Sequence, residues 1–192
     1  MSEHDAYLQA VAQTLPLLST NLIETLTDAL YDTYTKGNTI FVCGNGGSAA
    51  TASHFALDLC KGTRPPEPFP PVRAIALTDS VPLLTAWAND TAYNQVFQRQ
   101  LTSWFRPDDL LFAISASGNS ENVLLAAQWT AEHRGKVLAL TGYTGGRLAP
   151  LAHYALIVPA NDIELIEDCH SVLCHLLTRK LRMRIAARAS SV

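Results

Sequence analysis

One motif constrains this chain more than any other, and it occurs twice. A near-continuous apolar run stops at a turn rich in glycine and serine, and a helix-like segment follows. Thr39-Ile40-Phe41-Val42-Cys43 runs into Gly44-Asn45-Gly46-Gly47-Ser48, and Leu110-Leu111-Phe112-Ala113-Ile114 runs into Ser115-Ala116-Ser117-Gly118-Asn119-Ser120. Apolar residues at nearly every position describe a strand covered on both faces, the condition of a parallel sheet. A strand-to-helix junction of this composition points backbone N–H groups and the positive end of a helix dipole at one spot, which suits a phosphate. Glycine permits close approach and positive φ, and serine hydroxyls add donors without bulk. Either turn alone is also what an ordinary strand-to-helix connection looks like; two in one chain favour phosphate binding.

The same alternation continues. With 39–43 and 109–114, the segments 72–77, 136–141 and 154–158 read as strands. Helical patterns cover 48–60, 80–88, 91–104 and 119–133, with a short turn near 146–152 and a long helix from about 162 to 187. The first 37 residues read as two helices, apolar at Leu8, Val11, Leu15 and Leu18 and then at Leu22, Ile23, Leu26 and Leu30. Pro16 and Ser19-Thr20-Asn21 break them. These patterns predict an α/β fold in which a five-stranded parallel sheet is flanked by helices on both faces. Residues 1–192 are expected to form a single domain, with an N-terminal helical extension over 1–37 and an α/β core with a C-terminal helix over 38–192. Ligands in such a sheet gather at the carboxyl ends of the strands, where both turns fall. Segment 61–71 holds five of the ten prolines, so it reads as a stiff surface loop, either a lid or a plain connector.

A hydrophobic fraction of 48% against 16% charged residues excludes a disordered chain. The net charge of −3 gives no footprint for nucleic acid or an anionic membrane. The basic residues Arg179, Lys180, Arg182, Arg184 and Arg188 read as a solvated face that complements the dipole of the last helix. No run approaches the roughly 18 to 20 apolar residues of a membrane span, and the N-terminus carries no signal-type stretch. Cys43, Cys60, Cys169 and Cys174 show no C-x-x-C spacing and are expected to be reduced and packed among apolar neighbours. A soluble, cytoplasmic protein is the expectation.

Two groups of residues can do chemistry. His54 and Asp58 are four apart on one helix face, as an ordinary ion pair or as an acid/base or metal-ligand pair. Glu167, Asp168, Cys169, His170 and His175 form the second group. His170 and His175 point about 140° apart and cannot both face one site. Asp168 is nearly aligned with His175, and Glu167 lies about 80° from it; spacing leaves both open, and a packing role is open for either histidine. Asn89-Asp90 reads as a helix stop, and Thr141-Gly142-Tyr143-Thr144-Gly145-Gly146 as either a third backbone nest or a turn.

Taken in order, Gly44-Asn45-Gly46-Gly47-Ser48-Ala49-Ala50, His54-Phe55-Ala56, Ala74-Ile75-Ala76-Leu77, Ala88-Asn89-Asp90, Ser115-Ala116-Ser117-Gly118-Asn119-Ser120, Leu140-Thr141-Gly142 and the final His-bearing helix resemble the sugar isomerase (SIS) family. The resemblance is to its phosphoheptose isomerase branch and covers most of the chain. It implies the SIS fold and conversion of an open-chain ketose phosphate, typically sedoheptulose 7-phosphate, to its aldose isomer through an enediol. It implies a homotetramer with sites at subunit contacts, and no nucleic-acid or membrane partner. By position, Asp58 is the base and His175 the partner acid. Gly46, Gly47, Ser48, Ser115, Ser117 and Ser120 hold phosphate, with Asn45, Asp90 and Asn119 orienting the sugar. The resemblance also implies one zinc per subunit on His54, Asp58, Glu167 and His175, a chemically sensible ligand set.

The chain departs from the family where Asp58 replaces glutamate, about one methylene or roughly 1.5 Å shorter. Glu167 stands for glutamine, Ala116 for threonine, and Gly62 for an arginine whose replacements are Lys61 or Arg64. These changes imply a related heptose or octose phosphate as an alternative substrate. Some relatives of this fold are instead non-catalytic, as sugar-phosphate sensors or as a replication-initiator-associating factor. The ionisable set favours catalysis, because a scaffold has no need of one.

Overall fold

Parallel strands cannot be joined by a tight hairpin, so each connection in this chain carries a helix or a helical turn. The computed structural model describes residues 2–190. The strands are β1 (Thr39–Cys43), β2 (Arg73–Ala76), β3 (Leu110–Ser115), β4 (Lys136–Thr141) and β5 (Tyr154–Ile157). They form one sheet in the order β2-β1-β3-β4-β5, every pair parallel. The helices are α1 (Glu3–Thr14), α2 (Thr20–Thr35), α3 (Gly47–Leu57), α4 (Val81–Asp90), α5 (Val96–Trp104), α6 (Glu121–Glu132) and α7 (Ile163–Ala189). The chain steps from β1 outward to β2, then returns across β1 to β3 and continues the other way. The strand order therefore reverses between β1 and β3, and both glycine- and serine-rich turns leave the sheet at that point.

Two cores follow from the two-residue period of the strands. Ile40, Val42, Leu110, Phe112, Ile114, Leu138 and Leu140 face Leu26 and Leu30 of α2, Phe55 of α3, and Leu173 and Leu177 of α7. Phe41, Cys43, Leu111, Ala113, Val137 and Ala139 face Phe97 of α5 and Leu124 and Ala127 of α6. Each fully buried Phe or Leu contributes about 1.5–3 kcal/mol. Asp109 pins the entry to β3: its buried carboxylate accepts the Thr39 N–H at 2.7 Å and the Arg106 N–H at 2.8 Å. Pro16 sits in a 3₁₀ turn (Leu15–Leu17) between α1 and α2, and Ser19 caps α2 through the Leu22 N–H.

Several expectations need correction. Helices cover both faces of the sheet as expected, though the edge strands are not apolar and buried throughout: Arg73 and Ile75 of β2 and Tyr154 and Ile157 of β5 are exposed. Cys60 is exposed, because α3 ends at Leu57 and Asp58–Gly62 winds as a π turn that carries Cys60 to the surface. Lys180 and Arg184 are not simply solvated: both pair with Glu24 of α2, and Arg184 also with Asp28, which ties α7 to α2. The proline-rich segment lies against the end of α7, with the Phe69 ring under the Arg188 guanidinium at 5.9 Å. No helix among the described residues is long and apolar enough to cross a membrane.

Candidate active site

The two turns are built to different specifications. In the first, Gly46 takes φ +53° at the N-cap of α3, and a Cβ on Gly44 would stand 2.6 Å from the Ser48 carbonyl oxygen. Ser48 is buried while Gly46 and Gly47 are exposed. In the second, the Gly118 N–H donates to the Ser115 carbonyl at 3.0 Å and to Ser115 Oγ at 3.2 Å. The Asn119 N–H donates to Ser117 Oγ at 3.2 Å, and the Ser115 and Ser120 hydroxyls lie 3.5 Å apart. Gly118 has φ +65°, and a Cβ there would meet the Gly145 carbonyl at 2.2 Å. Segment 141–146 thus buttresses the second turn backbone to backbone, with the Gly142 N–H on the Ala116 carbonyl at 2.8 Å. Asn119 Oδ1 accepts the Arg147 N–H at 3.1 Å.

Asn122, which the sequence did not single out, joins the turns. Its side chain is buried and exchanges two hydrogen bonds of 2.8 Å with the amide of Asn45, while its Oδ1 also accepts the Val123 N–H at 2.9 Å. The Tyr93 hydroxyl donates to Asn45 Oδ1 at 3.0 Å. Asp90 stands apart as the exposed last residue of α4, accepting from Asn89 Nδ2 at 2.9 Å.

A second centre forms between α3 and α7. Asp58 Oδ2 lies 3.8 Å from His54 Nε2 and 3.6 Å from His175 Nε2, and the two imidazole nitrogens are 3.5 Å apart. The rings meet edge to face with centroids 4.9 Å apart. They border a groove of about 190 Å³ that Ala50, Thr51, Ser171 and Cys174 also line. His54 and Asp58 share a face by their i,i+4 spacing, and α7 brings His175 across to them. Both imidazoles remain half exposed, so a ligand has access.

The other ionisable residues of α7 separate from this cluster. Glu167 points at the first turn: a Cβ on Gly47 would stand 2.3 Å from its carboxylate oxygen. That is eight residues, about 12 Å, along α7 from His175. Asp168 accepts the Tyr7 hydroxyl at 2.8 Å and fastens α1. His170 is buried with Nε2 3.1 Å from the Thr141 carbonyl, and burial pushes its pKa down to about 4. It is a neutral packing histidine that donates from Nε2. The structure gathers three of the four metal-ligand candidates, with all three ligand atoms within 4.8 Å of one another. Two imidazole nitrogens and one carboxylate suit general acid–base work, and also a divalent metal that keeps an open position.

The turns and the cluster lie far apart within the chain. Ser48 and Asp58 are separated by about 15 Å along the axis of α3. An extended seven-carbon chain with a terminal phosphate spans only about 10 Å.

Residues 5–142 match the SIS domain family. A phosphoheptose isomerase of Mycobacterium bovis is 42% identical over 160 residues, 83% of this chain and 81% of its own length. One from Helicobacter hepaticus is 39% identical over 176 residues, 92% and 88% of the two chains. The solved structure of a phosphoheptose isomerase from Francisella tularensis superposes with a TM-score of 0.85 at 32% identity, over 94% of each chain. On its fold, its turns and this similarity, the chain belongs to the SIS domain family, on the phosphoheptose isomerase branch.

Proposed function

We propose that this sugar-phosphate isomerase interconverts sedoheptulose 7-phosphate with its aldose isomer, with Asp58 as the base and His175 as its partner. The observation that carries the reading is the convergence of His54, Asp58 and His175 in an open groove. In the ketose-to-aldose direction, Asp58 takes a proton from C1 to give the enediol and returns one to C2. His175 moves the hydroxyl proton between O2 and O1. Their separation of 3.6 Å is looser than a hydrogen bond, as apo acid–base pairs often are. The Ser48, Ser115, Ser117 and Ser120 hydroxyls, with the backbone at Gly46 and Gly47, hold the phosphate; Asn45, Asp90 and Asn119 orient the sugar.

A heptose phosphate is too short to span from Ser48 to Asp58 of one chain. The turns of one subunit therefore work with the cluster of another, within a cytoplasmic homotetramer. His54, Asp58 and His175 would hold a zinc ion, one per subunit, and Glu167 could join them only from a neighbouring chain. When bound, the ion supplies positive charge to an enediolate oxygen.

The test is NMR of the full chain with sedoheptulose 7-phosphate in D₂O, with added zinc and with chelator. Aldose carrying deuterium at C2 is the expected result. Asp58→Asn and His175→Ala should each lower turnover by about 10²–10⁴-fold. Near-normal turnover in both variants would sink the assignment.

A further inference from the structure

Asp58 also borders a second pocket, larger than the groove that holds the histidines. It measures about 430 Å³ and is lined by Leu57, Asp58, Lys61, Gly62, Arg64 and Arg182. Three cations face one carboxylate there, in a chain whose net charge is −3. Lys180 and Arg184, two residues either side of Arg182, are both paired with acids of α2. Lys61, Arg64 and Arg182 form no ion pair among the described residues.

Gly62 marks how close these groups come: a Cβ there would be in ordinary contact with both Arg182 Nη2, at 3.6 Å, and the Asp58 Cβ, at 3.7 Å. Arg182 and Asp58 thus flank a single residue. Arg64 follows the buried Thr63, whose hydroxyl donates to the Leu59 carbonyl at 2.8 Å, and takes φ +35°. Three cations around one carboxylate leave an excess of positive charge, and the arrangement becomes more favourable when a further anion sits among them. Two guanidinium forks and an ammonium match the oxygens of a phosphate.

We propose that this pocket is a second phosphate subsite, separate from the glycine- and serine-rich turns and opening on Asp58. Its phosphate is either free or carried on the sugar at the end remote from the turns. The subsite stands on the placement of charge and does not require turnover.

The experiment is a ³¹P NMR titration of the full chain with inorganic phosphate. Ser115→Ala/Ser117→Ala should still bind phosphate, and adding Lys61→Gln/Arg182→Gln should weaken that residual binding about tenfold or more, with Arg182→Lys recovering part of it. Loss of all binding in the turn variant, or residual binding indifferent to the cations, would overturn the subsite. A second arm compares ketoses phosphorylated at one end and at both. An advantage for the doubly phosphorylated sugar that Lys61→Gln/Arg182→Gln removes would place the second phosphate on the sugar. Equal affinity with residual phosphate binding intact would make it free phosphate; both results keep the subsite. Turnover of sedoheptulose 7-phosphate without the second phosphate site defeats this inference alone. A second site without turnover defeats the isomerase reading alone.

Discussion

His170 and His175 lie five residues apart on α7, one sealed against β4 and the other open to solvent. The sequence showed that they could not share a site, but not which would be buried. That depended on Thr141, 29 residues away, whose carbonyl meets His170. The burial has a measurable effect. An unfolded histidine takes up its proton near 6.5, whereas folded His170 does so only near 4. Between these values the unfolded chain binds more protons, so stability is full above about 6.5 and falls as pH drops, by up to about 3 kcal/mol near pH 4. Urea unfolding at pH 7 and pH 4.5 should show this loss in the wild type, and His170→Gln should reduce it. An identical pH dependence in both would refute the assignment. Cys60 illustrates a different failure of legibility: apolar neighbours suggested packing, but the π turn that exposes it leaves no trace in side-chain spacing.

Strand, turn and helix boundaries were legible to within a few residues because parallel strands and Gly/Ser turns write themselves into short segments. β2, read as 72–77, spans Arg73–Ala76, and α6, read as 119–133, spans Glu121–Glu132. The lock between the turns was not legible, since Asn45 and Asn122 are 77 residues apart. Asn122→Ala would leave the Asn45 amide short of a partner in a partly buried position, a loss of about 1–3 kcal/mol. Released from its partner, the first turn should bind phosphate less well: KM is expected to rise about tenfold, with kcat changed much less. Steady-state kinetics settles the point, and equal losses in kcat and kcat/KM would contradict a positioning role. Gly118 has a steric reason of its own. Gly118→Ala would push a methyl into the Gly145 carbonyl, and both stability and phosphate binding should suffer.

For the whole molecule, the length of α3 bears on how the proposed activity is organised. It begins at the first turn and ends at Asp58, and on the proposed reading one subunit carries both halves of the chemistry without using them on one substrate. Mixing Ser115→Ala/Ser117→Ala chains with Asp58→Asn chains, each inactive, should therefore recover activity after subunit exchange. Random pairing restores one intact site in half of the pairs, or about a quarter of wild-type turnover. No recovery, with mixed oligomers shown to form, would mean that each chain works alone. The sequence held both halves in plain view; their distance emerged only when helix length was converted to ångströms. The interlocked amides of Asn45 and Asn122 add a last consequence. Amides neither gain nor lose protons across the range in which imidazoles do, so the gauge that spaces the two turns does not drift with acidity. Grip on the phosphate should then follow only the second ionisation of the phosphate itself, near pH 6.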